Sequence, residues 1–459
     1  MELKLKDNSQ KNLSENLQKS AKILTDNEDL LRFGWFDFRS LYSSLYTSLF
    51  SELSALNREE IFHPFELIYL NNRISSGQYL HHIKLDTREA EARELSQKLE
   101  INNNHIAQEE LLFNSGELEI DIKKLNDLYD IRRSLIQELF LMKKNLKELH
   151  SPDYSVFTEM LENLNPNEAV LSLKLGDLSS WLILRKSQEE IYFKLDSDQD
   201  EIRFTLSSLN NSLKRLDTEK LSFDFESSHF LYQKLFSNLE EHLEGIDTIY
   251  TLYSDKDNVP FNAIASNLVS SKNLTTRLLE TDFLIEKYNF VNIYPLTKKR
   301  ESDFNNNFIG FANPSNLEAI GLPNLKSAEE ELQFLAMASG SREKQFYGEN
   351  ASKENVKKFL NDSYKRVHFG THSVPPYWSG LNSESGLVLN SEDGDFILTA
   401  SEISGLDINS DVVILSSCNP NEKGFENLYR SFLVAGSNSV IYTNWELETS
   451  SAKAVNQEL

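Results

Sequence analysis

The chain holds a single cysteine, Cys418, and 46 positions ahead of it stands a histidine, His372, at the end of the run Tyr364-Lys365-Arg366-Val367-His368-Phe369-Gly370-Thr371-His372. A thiol and an imidazole brought together can carry out nucleophilic acyl transfer. Only roughly a few per cent of an ordinary cysteine is thiolate at neutral pH, so an imidazole is needed to take the proton and later return it to the leaving amine. The same chemistry needs donors aimed at the developing oxyanion, and the backbone N–H groups of Cys418 and Ser373 are the expected ones. No third, orienting acid is evident. His368 and His372 lie four apart on a strand-like segment, which spans about 13 Å and is too long for two ligands of one small ion. No metal and no cofactor is therefore expected, and His368 is expected to pack beneath the site. Nothing links His63, His81, His82, His105, His150, His229 or His242 to Cys418.

These side chains meet only if the elements beneath them run side by side. Val412-Val413-Ile414-Leu415 is a continuous apolar, β-branched run of the kind that forms a buried parallel strand, so Cys418 sits at a strand's carboxyl end. Parallel pairing with the strand ahead of His372 would bring both to one sheet edge, where ligands bind in open α/β sheets. The crossover between them is legible: Thr399-Ala400-Ser401-Glu402 reads as a capping box and Gly405 as the helix stop. Beyond Cys418 come a loop at Asn419–Lys423, a helix from Gly424 to Ala435 and a strand at Ser439–Tyr442. That strand leads to Glu446 and Glu448 at the same edge.

Upstream, strands are expected at Ala169–Leu173, Ser180–Leu184, Thr248–Leu252, Phe290–Tyr294 and Asn307–Phe311. Helices are expected at Leu231–Leu243, Ser327–Ala338 and Lys353–Leu360. The alternation predicts an α/β domain with a mainly parallel sheet covered on both faces. Residues 10–162 differ in texture, being long, charged and nearly free of Gly and Pro. Leu125, Leu128, Ile131, Leu135, Leu139, Met142 and Leu146 form an apolar stripe at helical spacing, expected to pack as core. The domains expected are 1–162, helical, and 163–459, α/β. A 34-residue repeat has no clean copy in the helical part.

Composition narrows the function classes. The formal net charge of −24 opposes binding to a phosphate backbone or an anionic membrane. One cysteine allows no internal disulfide, and the N-terminus lacks a signal-peptide pattern. No run approaches the ~18 apolar residues of a membrane span. A soluble cytoplasmic protein is expected, with neither nucleic acid nor membrane as a direct partner.

Val367-His368-Phe369-Gly370-Thr371-His372-Ser373 and Val412-Val413-Ile414-Leu415-Ser416-Ser417-Cys418 resemble the paired motifs of the CHAT domain, a caspase-like cysteine peptidase module related to separase. A histidine about 50 residues ahead of the cysteine is itself a caspase spacing. Further landmarks agree: Val259-Pro260-Phe261-Asn262-Ala263-Ile264, Gly310-Phe311-Ala312-Asn313-Pro314, Leu322-Pro323 ahead of Ala328-Glu329-Glu330-Glu331, and Trp445. The resemblance covers roughly 165–459. It implies a caspase-like fold, catalysis by Cys418 and His372, and tetratricopeptide-like helices ahead of the domain. It also implies an acidic residue near Trp445, Glu446 or Glu448, that receives a basic P1 side chain. By analogy the substrate would be a protein, a gasdermin-like or other effector, in a bacterial immune or cell-death pathway. The helical region would hold the enzyme in check until a partner protein binds. Three departures are set against the family pattern. Ser373 stands where many relatives carry glycine, which would be costly were φ positive there. The loop Asn419-Pro420-Asn421 differs from the usual acidic and small residues, and the chain is expected to stop at Leu459 short of the closing helices. Ser373 and the expected end at Leu459 support the alternative expectation, a caspase-like scaffold for protein–protein contact without activity, whereas an intact Cys418 and His372 argue against it.

Overall fold

The computed structural model describes residues 159–443 apart from 176–179, 215–222, 254–258, 294–303, 376–384, 417–425 and a few gaps of one or two residues, together with scattered helical positions between 95 and 135. Apart from those positions, the expected helical hairpins of 1–162 lie outside the described residues. Of the expected stripe, Leu128, Ile131 and Leu135 are described: Leu128 and Leu135 are half-buried, while Ile131 is half exposed, against the core packing anticipated for it. The chain divides into two units, one made of 1–78 and 152–295, the other of 79–151 and 296–459. Among the described residues no helix is long and apolar enough to cross a membrane.

In the first unit the strands are β1 (Glu168–Lys174), β2 (Ser180–Arg185), β3 (Glu190–Leu195), β4 (Thr248–Tyr253) and β5 (Asn289–Asn292), ordered β3-β2-β1-β4-β5. Between β3 and β4 run the helices α1 (Gln199–Lys214) and α2 (Phe225–Leu231), and α3 (Leu274–Leu279) precedes β5. β1, β4 and β5 pair in parallel as expected, whereas β1, β2 and β3 are antiparallel. The links of five and four residues explain the difference, since a parallel crossover needs about a dozen or more. The expected helix Leu231–Leu243 is also broken. After α2 the chain makes a wide turn at Tyr232–Phe236, with Ser237 N–H donating to Tyr232 O, and then a short tight turn at Glu240–His242. The extra residue in the wide turn lets the adjacent Leu235 and Phe236 both face the core together with Leu231, Leu239 and Leu243.

The second unit supplies the sheet on which the candidate site stands. β6 (Asn306–Pro314) is followed by α4 (Lys326–Ser339), β7 (Gln345–Gly348), α5 (Lys353–Phe359) and β8 (Ser363–Gly370). A small antiparallel sheet of β9 (Ser373–Val374), β10 (Gly386–Val388) and β11 (Ile397–Thr399) comes next. α6 (Ala400–Ser404), β12 (Asn409–Leu415), α7 (Glu426–Ala435) and β13 (Ser439–Tyr442) complete the unit. The main sheet is entirely parallel, in the order β13-β12-β8-β6-β7.

Alternation along β6 sorts its two faces. Phe308, Gly310 and Ala312 turn toward α4, whose buried residues Ala328, Leu332, Leu335 and Ala336 recur at helical spacing. Gly310 permits this close packing, because a Cβ there would lie 2.1 Å from Leu332 Cδ1. On the other face Phe311 stacks on Phe346 at 5.0 Å and on Phe369 at 5.4 Å, and Phe369 meets Phe432 of α7 at 5.4 Å. Each such buried aromatic stabilises the fold by about 1.5–3 kcal/mol relative to exposure.

Candidate active site at the carboxyl edge of the parallel sheet

β8 and β12 are parallel neighbours in register, with Leu415 opposite Phe369 and Ser416 N–H donating to Phe369 O at 2.9 Å. The two strands therefore end level. His372 is the third residue beyond Phe369, and Cys418 is the third beyond Leu415. Cys418 itself lies outside the described residues, as do Trp445, Glu446 and Glu448.

His372 is half-buried, and its Nε2 lies 2.8 Å from the carbonyl oxygen of Pro323. A carbonyl only accepts, so Nε2 must carry the proton, and the neutral ring presents Nδ1 as its acceptor. The backbone around it is fixed from the other side. His372 O accepts from Val388 N–H at 2.8 Å, and the buried Thr371 hydroxyl donates to Val388 O. Val374 is packed with Leu317, Val388 and Ile397, against which Leu322 and Leu325 also rest. Ser373 pairs opposite Leu387 in extended β9, and the adjacent Val388–His372 bond directs the Ser373 N–H away from β10. Its backbone is not left-handed, so serine bears no steric penalty in place of glycine.

One layer down, His368 is fully buried, as expected of a residue packing beneath the site. Its Nε2 lies 3.0 Å from Oε1 of the buried Glu331, off the hydrogen-bond axis, and the Ser416 hydroxyl donates to Oε2 of the same carboxylate at 3.2 Å. Glu331 thus joins α4 to the ends of both β8 and β12. The sequence presents it only as the third of three consecutive glutamates, and the helical repeat decides which of them turns inward.

The crossover from β8 to β12 is held by a buried cation. Lys353 Nζ lies 2.6 Å from Asp395 Oδ2, 2.9 Å from Glu402 Oε2 and 2.9 Å from Ile397 O. Burial acts to lower the Lys353 pKa, but Asp395 and Glu402 outweigh it and hold the value above the ordinary one. Burial likewise pushes the Glu402 carboxyl up, and Lys357, Lys353 and the Thr399 N–H together bring it below its ordinary value. The expected capping box is present: Glu402 N–H donates to Thr399 Oγ1 at 3.3 Å and Thr399 N–H to Glu402 Oε2 at 3.0 Å.

Sequence comparison gives two kinds of match. The transcription antitermination protein NusB of Histophilus somni, from strains 129Pt and 2336, is 28% identical over 107 residues. That stretch is 23% of this chain, which spans 60% of the length of those relatives, too small a share to assign it. The second match takes in both paired motifs, Pro323, Glu331 and the whole parallel sheet: the model of the CHAT domain, a family of caspase-like cysteine peptidases, fits residues 226–459. With half of its length so matched, the chain belongs to the CHAT domain family.

Proposed function

We propose that the chain is a cysteine endopeptidase acting on a protein substrate, with Cys418 as nucleophile and His372 as base and then acid. The observation that carries this reading is the level ending of β8 and β12 side by side, with one residue of the pair three positions beyond each. With its Nε2 proton given to Pro323 O, the neutral ring takes the thiol proton on Nδ1. Sulfur then attacks the scissile carbonyl carbon, and charge moves onto its oxygen, received by the backbone N–H groups of Cys418 and Ser373. Nδ1 returns the proton to the amine nitrogen as the C–N bond breaks. A water deprotonated by the same nitrogen hydrolyses the thioester and restores the thiol. Glu446 and Glu448 are the proposed receivers of a basic P1 side chain, and the helical region is the proposed site of a regulating protein partner.

The test is thiol reactivity in the full chain. Cys418 should alkylate with iodoacetamide at least about tenfold faster than a model thiol at neutral pH, and His372→Ala should bring it to the model rate. Equal rates for the two forms would leave only a scaffold for protein–protein contact. Peptides varied at P1 should be cut after Arg or Lys; indifference at P1 would remove the acidic pocket and leave the dyad standing.

A further inference from the structure

The carboxyl end of β6 carries an irregularity aimed at the same edge. Ala312 pairs with Tyr347 and Pro314 with Gly348, so Asn313 is an extra residue with no partner position on β7. Its φ is +44, and among the described residues it is the non-glycine with a left-handed backbone. A residue before proline is normally confined to extended conformations, so this position departs from two preferences at once. Bulges with a left-handed first residue re-aim a side chain. By strict alternation Asn313 would turn away from α4, on the face of Phe311. Instead its side chain is buried against the start of α4.

Every polar atom of that side chain is engaged there. Nδ2 donates to Asn324 Oδ1 at 3.0 Å and to Glu329 Oε1 at 2.7 Å, while Oδ1 accepts from Leu325 N–H at 2.8 Å. Leu325 is the N-cap residue of α4 and has no side chain able to cap, so Asn313 serves as the cap from a neighbouring strand. The two residues it grips, Asn324 and Leu325, directly follow Pro323, whose carbonyl oxygen meets His372 Nε2.

We propose that Asn313 is a positioning residue: from its left-handed bulge it holds the 323–325 turn so that Pro323 O selects the Nε2–H tautomer of His372 and leaves Nδ1 as the ring's acceptor. The functional consequence rests on the peptidase reading above, whereas the effect on the ring does not. The competing determinant is apolar packing, because Leu322 and Leu325 also anchor this turn against Val374 and Val388.

The experiment reads the ring directly, by 15N NMR of the full chain labelled at histidine, with His372→Ala identifying the signal. The unsubstituted chain should show the Nε2–H tautomer. Asn313→Gly keeps the left-handed backbone and removes all three hydrogen bonds; it should shift His372 to a mixture of tautomers and slow alkylation of Cys418 by about tenfold or more, as small misplacements remote from the chemistry do. Glu329→Ala leaves the bulge intact, removes one of the three bonds and should give a smaller shift in the same direction. Asn313→Asp combined with Glu329→Gln restores a donor and acceptor at that contact, with an oxygen still facing Leu325 N–H, and should return the single tautomer. A lowered melting temperature with an unchanged tautomer in both Asn313→Gly and Glu329→Ala would overturn the proposal, leaving apolar packing as the determinant. Should Asn313→Gly not fold, Glu329→Ala decides alone. A shifted tautomer with alkylation insensitive to both Asn313→Gly and His372→Ala would uphold the positioning role and defeat the peptidase reading.

Discussion

At His372 the orienting group is a main-chain carbonyl, supplied by a residue 49 positions away. This is why the sequence shows the histidine and conceals what holds it: no side-chain type marks a backbone acceptor. Asn313 and Glu331 were equally hidden, as part of a strand-end Asn-Pro and as one glutamate among three. The strain of a left-handed non-glycine residue, of order 1–3 kcal/mol, persists only where its surroundings over-determine it, and at Asn313 three hydrogen bonds do so. His368 gives a stability prediction at the same scale. His368→Leu should lower the unfolding free energy by about 1–3 kcal/mol, because it replaces the polar imidazole beside the buried Glu331 carboxyl with an apolar group. Adding Glu331→Leu should recover part of that loss, since two apolar groups leave no buried polar atom at that contact. Urea unfolding of the single and double variants checks this, and a double variant less stable than the single would refute the pairing.

At the scale of elements, four of the five strands of the main sheet were readable because buried parallel strands are written as apolar runs, as in Val412–Leu415 and Phe308–Phe311, whereas the half-buried edge strand β7 was not. β9, β10 and β11 were not, since strands of two or three residues carry no period. Their pairing depends instead on Gly386, where a Cβ would lie 2.7 Å from Leu398 O and 2.5 Å from Ile397 Cγ2. The backbone atom cannot swing aside. Gly386→Ala should therefore destabilise by about 1–3 kcal/mol, measured by chemical unfolding, and loosen the segment that carries His372. The clamp around Lys353 makes a pH prediction. Glu402 titrates below its ordinary 4.5 in the folded protein, so its contribution is present above that value and is lost as pH falls through the lower folded one. Glu402→Gln should be less stable than the unsubstituted chain at neutral pH, and the gap should close on acidification. A gap constant with pH would mean that the carboxylate charge is not the source.

For the whole molecule the dominant sequence-level quantity is the net charge of −24. Like charges destabilise a compact state, and the screening length falls to about 10 Å at 0.1 M salt. The melting temperature should therefore rise on adding salt to a low-ionic-strength buffer, as calorimetry across a salt series would show; a fall would point to stabilising surface ion pairs as the stronger influence. The order β13-β12-β8-β6-β7 has a further consequence for synthesis. The Pro323 turn and the His372 segment follow β6 and β8, and β12 is the strand that leads to Cys418, so the carboxyl edge of these three strands is not complete until residues from Asn306 to Leu415 have been made and laid side by side. Parallel pairing across such separations is slow. On the peptidase reading proposed above, a chain still emerging from the ribosome therefore has no assembled dyad with which to attack its nascent neighbours.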